Sequence, residues 1–393
     1  MQTLGSALDE QKGFGQGFDF LRILLATGII AWHVASLSGH AEIARASRFW
    51  FSEYMLVPMF FALSGFLVAG SGSRLSAKNF LLNRVARIVP ALVADIVFAA
   101  LIIGPLVTTL PARSYFTDAT FFRYFLNIVG WIHYELPGVF ETNPSSEVNG
   151  ALWTVPFEIG CYVILTGLII TGAIKRPKWV LSFTYVALFV GIPLRLMTAP
   201  LVTDHASFIE RLAMDFFLFR GSLLWPSFLI GIVLYQTRYY VPFSKAGAIG
   251  LVLVAILVSA FSDPETLFSN AVIHAFVLPL LAYLTVMIGL SPMPRLPGFG
   301  TGDYSYGLYL YHVPFLQLLI HCFPEAWTGD RWWTLFFAGF PLSLTAAVIS
   351  WHVFEYPALR FRNSFVVKHR PEGSLPTAII PSSPLVLKQD PSS

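Results

Sequence analysis

The chain has 393 residues, of which 55% are hydrophobic and only 12% charged, about half the charged share of an average soluble domain. Water is not its main solvent: the length that would otherwise suggest two or three soluble domains is taken up by apolar segments running from Phe18 to Phe354. A net charge of +3 points to no nucleic-acid partner, and the two cysteines, Cys161 and Cys322, sit in apolar runs without CxxC or metal spacing, which suggests neither a disulfide framework nor a zinc site and reads as two buried thiols.

Residues 1–17 carry Asp9, Glu10 and Lys12 and lack a basic n-region, so they read as a cytoplasmic N-terminal segment followed by a retained signal anchor. Apolar runs suited to a ~30 Å hydrocarbon core then lie near 18–39, 49–70, 88–110, 151–172, 178–198, 221–236, 246–262, 271–290, 304–322 and 332–354. The fold class expected is an all-α integral membrane protein with about ten transmembrane helices in a bacterial cytoplasmic (inner) membrane. In alternate connecting segments Lys and Arg outnumber those of the other set about two to one, which places both termini in the cytoplasm. The loop from about 111 to 150, too polar at its ends for a span, is expected to hold a short helix lying at or dipping into the interface. The Pro- and Ser-rich end predicts a disordered cytoplasmic tail over 363–393, leaving a membrane domain over 18–362.

An ionisable side chain inside a bilayer is costly and points to function. In DFLRILLATGIIAWH, Arg22 and His33 stand eleven residues apart, so they share one helix face about 16 Å apart along the axis, with Asp19 placed to orient Arg22. Read singly, Arg22 also fits a snorkelling anchor and His33 an interhelical hydrogen bond. NGALWTVPFEIGCYVI carries Glu158, and YSYGLYLYHVPFLQ carries His312 and Tyr309, at depths that let these groups converge with His33; either helix also suits packing alone. The loop segment NRVARIVP sets Arg84 and Arg87 one helical turn apart, beside no acidic residue, a spacing that can grip phosphate or simply mark the cytoplasmic side. In FFALSGFLVAG, Ser64 and Gly65 are small enough for ligand approach or for tight helix packing. Trp153, with Trp131 and Tyr134, suits either sugar stacking or an interfacial aromatic belt. No GxxxxGK[ST], GxSxG or HExxH motif occurs, which counts against nucleotide hydrolysis and soluble-type serine hydrolysis.

Together with the closing HVFEYPALR, these motifs make the chain resemble the type 3 acyltransferases, ten-helix membrane enzymes that O-acylate glycans, over about Phe18 to Arg362. The resemblance implies the stand-alone form, without a fused periplasmic hydrolase-like domain. It matches Arg22 and His33 to the family's helix-one pair, Arg84 and Arg87 to its cytoplasmic arginines, Glu158 to its helix-four glutamate and Glu355 to the acidic residue before the closing Pro. Tyr356 stands where relatives often have Lys, so no charge-dependent chemistry is assigned there. The expected activity is transfer of an acyl group, acetyl foremost, from cytoplasmic acyl-CoA to a hydroxyl of a cell-envelope glycan. Catalysis then falls to His33 as base, with Arg22 and Glu158. Arg84, Arg87 and Ser64 would hold the donor, with His312, Tyr309, Trp153 and Glu355 supporting. No permanently bound cofactor is expected. The partners expected are acyl-CoA, a glycan or lipid-linked sugar, membrane lipids and proteins of glycan biosynthesis or export. The competing reading is a proton-coupled transporter or flippase using the same buried groups as a pathway.

Overall fold

The computed structural model describes residues 2–13, 15, 17–47, 50–189, 221–261, 271–293 and 302–368. Among them the regular structure is helical apart from an isolated bridge between Thr3 and Pro242. In chain order the principal helices are α1 (Leu4–Glu10), α2 (Gly17–Leu37), α3 (Leu56–Gly72), α4 (Ala77–Val107), α5 (Gly150–Ile170) and α6 (Pro177–Phe189). They are followed by α7 (Gly221–Gln236), α8 (Lys245–Phe261), α9 (Ala271–Gly289), α10 (Ser305–Cys322) and α11 (Gly329–Arg362), the last continuing helically to Lys368. Four of these, α2, α4, α5 and α11, are long and apolar enough to cross a membrane, and further apolar helices are shorter. Large apolar side chains such as Leu106, Val163, Ile170 and Phe337 are exposed on them, a surface matched to hydrocarbon rather than water.

Several expectations change in detail. The segment before the first span carries a helix packed on the bundle: Thr3 and Ser6 form a reciprocal cap for α1, whose Leu4 and Leu8 enter the main core while its backbone bonds to Arg238 and Val241. Arg84 and Arg87 lie within a helix, not a loop, because the Ser76 hydroxyl accepts from the Asn79 amide and starts α4 at Ala77. Cys161 is buried, but Cys322 is exposed, since it ends α10 where the chain turns away from the bundle. The stretch 111–150 does form short helices, Ala112–Thr117 and Ala119–Tyr124, and no span. They dock on α4 where it loosens into a π turn over Ala99–Ile103, and the Tyr115 hydroxyl donates to the Ala100 carbonyl at 2.7 Å. The end of the fifth predicted span, the whole of the loop after it, and residues 369–393 of the predicted tail lie outside the described residues.

Helices α3 and α7 approach backbone to backbone, and glycine is what permits it. A Cβ on Gly65 would strike the Phe228 carbonyl, and one on Gly231 would strike that of Ala62. Both obstacles are backbone, so neither can swing aside. Gly65→Ala should therefore destabilise by about 1–3 kcal/mol, seen as a lowered melting temperature in detergent, whereas Ser64→Ala next to it should leave melting unchanged. The contact matters because α3 forms one wall of the cavity described next, and Phe228 of α7 lines it too.

Candidate active site

Helices α2, α3, α4, α5 and α10 enclose a cavity of about 180 Å³. Arg22, Ser64, Arg84, Arg87, Glu158 and Tyr309 all line it, so six of the ten residues singled out from the sequence meet in one space, with Asp303, Tyr162 and Tyr306 added. Thr154, Cys161 and Ser305 line it as well, between apolar walls that include Phe60, Phe61, Leu67 and Ile88.

At one end the charges form a chain. Arg22 sits 2.7 Å from Asp19, as its spacing implied, and 3.4 Å from Asp303. Asp303 also pairs with Arg87 at 2.6 Å, and Arg87 reaches Glu355 at 2.9 Å. Asp303 precedes α10 and accepts from the Ser305 hydroxyl and amide, which fixes its carboxylate toward the two arginines. Burial alone would raise its pKa, but Arg87 and Arg22 outweigh that and hold the carboxyl well below the usual carboxylate range. Glu355 is fully buried, turned inward by the π turn Trp351–Glu355, and accepts from Ser350, itself bonded by Tyr311.

The two arginines of NRVARIVP therefore part company, and the expectation that no acid stands beside them is corrected for Arg87. α11 and the start of α10 approach from distant parts of the chain, so Glu355 and Asp303 neutralise Arg87 although no acid is near it in sequence. Arg84 has no such ion pair among the described residues. Its guanidinium lies over the Phe80 and Tyr162 rings at 5.9 and 5.7 Å, with Nε unbonded, where it borders the cavity. Across from it Glu158 accepts from the Tyr162 hydroxyl at 2.8 Å.

The histidines meet beyond Tyr309. His312 is fully buried and lies 3.1 Å from His33, Nε2 to Nδ1, with the rings edge to face. His312 Nδ1 is 2.7 Å from the Tyr309 carbonyl, and His33 Nδ1 is 3.0 Å from the Ile29 carbonyl. Carbonyls only accept, so in the neutral pair each Nδ1 carries its proton, and His312 Nε2 accepts a share of the His33 Nδ1–H. One atom is left with a free lone pair: His33 Nε2, on a ring that is partly exposed. His312 is in contact with His33, whereas Glu158 lines the cavity beside Tyr162. Tyr309 joins the two regions, its hydroxyl bonding Thr154 at 2.9 Å and the Ala151 carbonyl at 3.0 Å. Trp153 packs edge to face on Phe157 against the main core.

Two acids went unread in the sequence. Asp303 was hidden beside the tyrosines of its own motif, though a carboxylate at the start of a span facing Arg22 was a usable signal. Asp95 stands in the apolar run VADIVFAA, fully buried, an ionisable side chain inside a span just as His33 and Glu158 are.

Comparison with known proteins places this geometry. Residues 16–352 match the family described as an acyltransferase domain. Two similar proteins are nodulation protein 10 of Rhizobium leguminosarum bv. viciae, 28% identical over 93% of this chain and 99% of its own length, and an O-acetyl transferase of Shigella phage Sf6, 25% identical over 86% and 94%. No solved structure matches. A family match over most of the length, on apolar helices that converge on buried Arg, Glu and His groups, favours acyl transfer over transport, and the chain belongs to the type 3 acyltransferases, a family of membrane enzymes.

Proposed function

We propose that this protein is an O-acetyltransferase that moves acetyl from cytoplasmic acetyl-CoA to a hydroxyl of a cell-envelope glycan or lipid-linked sugar. The observation that carries the reading is the pairing of an arginine-edged cavity with a histidine whose Nε2 lone pair is left free by its neighbours. The name of the phage relative supports the acetyl group and the ester product. In this reading the chain crosses a bacterial inner membrane about ten times with both termini in the cytoplasm, which sets the arginine end of the cavity toward the CoA pool.

Arg84 then takes donor phosphate, because it is the cavity arginine without a carboxylate partner among the described residues. Arg22 and Ser64 guide the pantetheine arm, and the thioester comes up past Tyr309. His33 Nε2 removes the acceptor's hydroxyl proton as the oxygen attacks the acyl carbon; the C–S bond breaks, and the CoA thiolate recovers the proton from His33. His312 Nε2, accepting from His33 Nδ1–H, steadies the imidazolium formed on the way, as the third member of a triad does. Glycan-building or glycan-exporting proteins would supply the acceptor.

The test is transfer of labelled acetyl from acetyl-CoA to membrane glycan by the wild type and by His33→Ala. Label that needs both the protein and His33 supports the reading; a wild type that moves no acetyl to any glycan fraction sinks it. A label retained on His33 in single turnover would replace direct attack with an acyl-imidazole relay. Arg84→Ala should raise the KM for acetyl-CoA about 10–100-fold, the loss of one or two charge-assisted hydrogen bonds, with kcat changed far less.

A further inference from the structure

Asp95 is fully buried in α4, away from the arginine chain, and plays no part in the steps above. One of its oxygens, Oδ1, is buried without a partner among the described residues, while Oδ2 accepts from Asn149 Nδ2 at 2.8 Å. A buried carboxylate with a single neutral donor is an expensive arrangement. What Asn149 does elsewhere suggests why it is kept. The same amide nitrogen donates to the Leu310 carbonyl of α10 at 3.0 Å, and Asn149 Oδ1 accepts from the Ala151 amide at 3.1 Å, capping the turn that begins α5. The Ala151 carbonyl accepts from Tyr309, the Tyr309 carbonyl accepts from His312 Nδ1, and His312 reaches His33. A series of hydrogen bonds, joined through the backbone of Ala151 and the length of Tyr309, thus leads from Asp95 to the proposed base.

We infer that Asp95 is a positioning residue: by orienting the Asn149 amide it clamps the start of α5 to α10 at Leu310, and so holds Tyr309 and His312 where they fix the His33 ring. Asp95 touches neither reactant. The clamp needs an acceptor oxygen at Oδ2, not a negative charge, because the Asn149 amide is neutral. Its catalytic consequence rests on the proposed acyl transfer; its structural content does not.

The test separates the two. In wild-type protein, diethyl pyrocarbonate should modify the partly exposed His33 and spare the buried His312, as read by mass spectrometry. Asp95→Ala and Asn149→Ala should each speed His312 modification about tenfold while Cys161, buried in a different cluster, stays closed to alkylation. Asp95→Asn, which keeps an acceptor oxygen in the same place, should protect His312 as the wild type does. In the acetyl-transfer assay the two Ala variants should lose about 10–100-fold in kcat, the scale of a small displacement remote from the chemistry, with the KM for acetyl-CoA unchanged. The double Ala variant should be no worse than either single one. His312 protected in both Ala variants would overturn the inference. So would an Asp95→Asn variant that loses more than tenfold in kcat, since the charge itself would then be needed; that variant stays decisive if the Ala variants fail to fold. A wild type without transfer activity would remove the proposed reaction, yet the labelling pattern would still decide the clamp.

Discussion

Acyl transfer should fall about 10²- to 10⁴-fold when His33 is replaced by Ala, the range expected for loss of a general base, while the KM for acetyl-CoA moves little. The second half of this prediction follows from where the donor groups stand. Arg22, Ser64 and Arg84 line the cavity, and His33 is not among its lining residues. Removing the ring therefore leaves the donor's grip intact and takes away only the proton acceptor. Substituting His312 instead should give a smaller loss, because His33 Nε2 survives and what disappears is the group that shares its Nδ1–H. A retained rate in His33→Ala membranes would mean that the hydroxyl is activated elsewhere. A large rise in KM with kcat intact would turn His33 into a binding residue. Matched protein levels in the membranes and a donor titration on each variant are enough to tell these outcomes apart.

Much of this site was legible in the sequence because a bilayer makes polar residues conspicuous. Arg22, His33, Glu158 and His312 stand out in apolar runs, and helical periodicity places the first two on one face. In the structure Arg22, Glu158, Arg84 and Ser64 line one cavity. Pairings between distant segments were not legible. Nothing within the NRVARIVP motif reveals that Glu355, 268 residues later, lies 2.9 Å from Arg87, or that Asp303 reaches it from the start of α10. Nor does spacing reveal the tautomers of the histidine pair, which depend on backbone carbonyls at Ile29 and Tyr309. The boundary of α4 was misplaced for a local reason: the polar residues before Ile88 resemble a loop by hydropathy, yet the Ser76 cap is also in the sequence.

The separation of the two neighbouring arginines yields the other large effect. Arg87→Ala should destabilise the protein by about 3–5 kcal/mol, the cost of removing one partner from a buried ion pair, a fall in melting temperature on the order of 10 °C. The reason is what remains behind. Glu355, 0% exposed, keeps only the Ser350 hydroxyl at 3.3 Å among its described hydrogen-bond partners, and Asp303 keeps Arg22 at 3.4 Å in place of an ion pair at 2.6 Å. Arg87→Lys should recover little of this, since a point ammonium cannot match the fork that places Nη1 on Glu355 and Nη2 on Asp303. The double variant Arg87→Ala with Glu355→Gln should melt above Arg87→Ala alone, because the stranded charge has been removed along with its cation. Arg84→Ala, by contrast, strands no comparable carboxylate and should keep the wild-type melting temperature while losing donor affinity. If Arg87→Ala melts like the wild type and shows only a raised KM, then both arginines serve the donor, and the acids around Arg87 hold it ready for phosphate rather than holding the helices together.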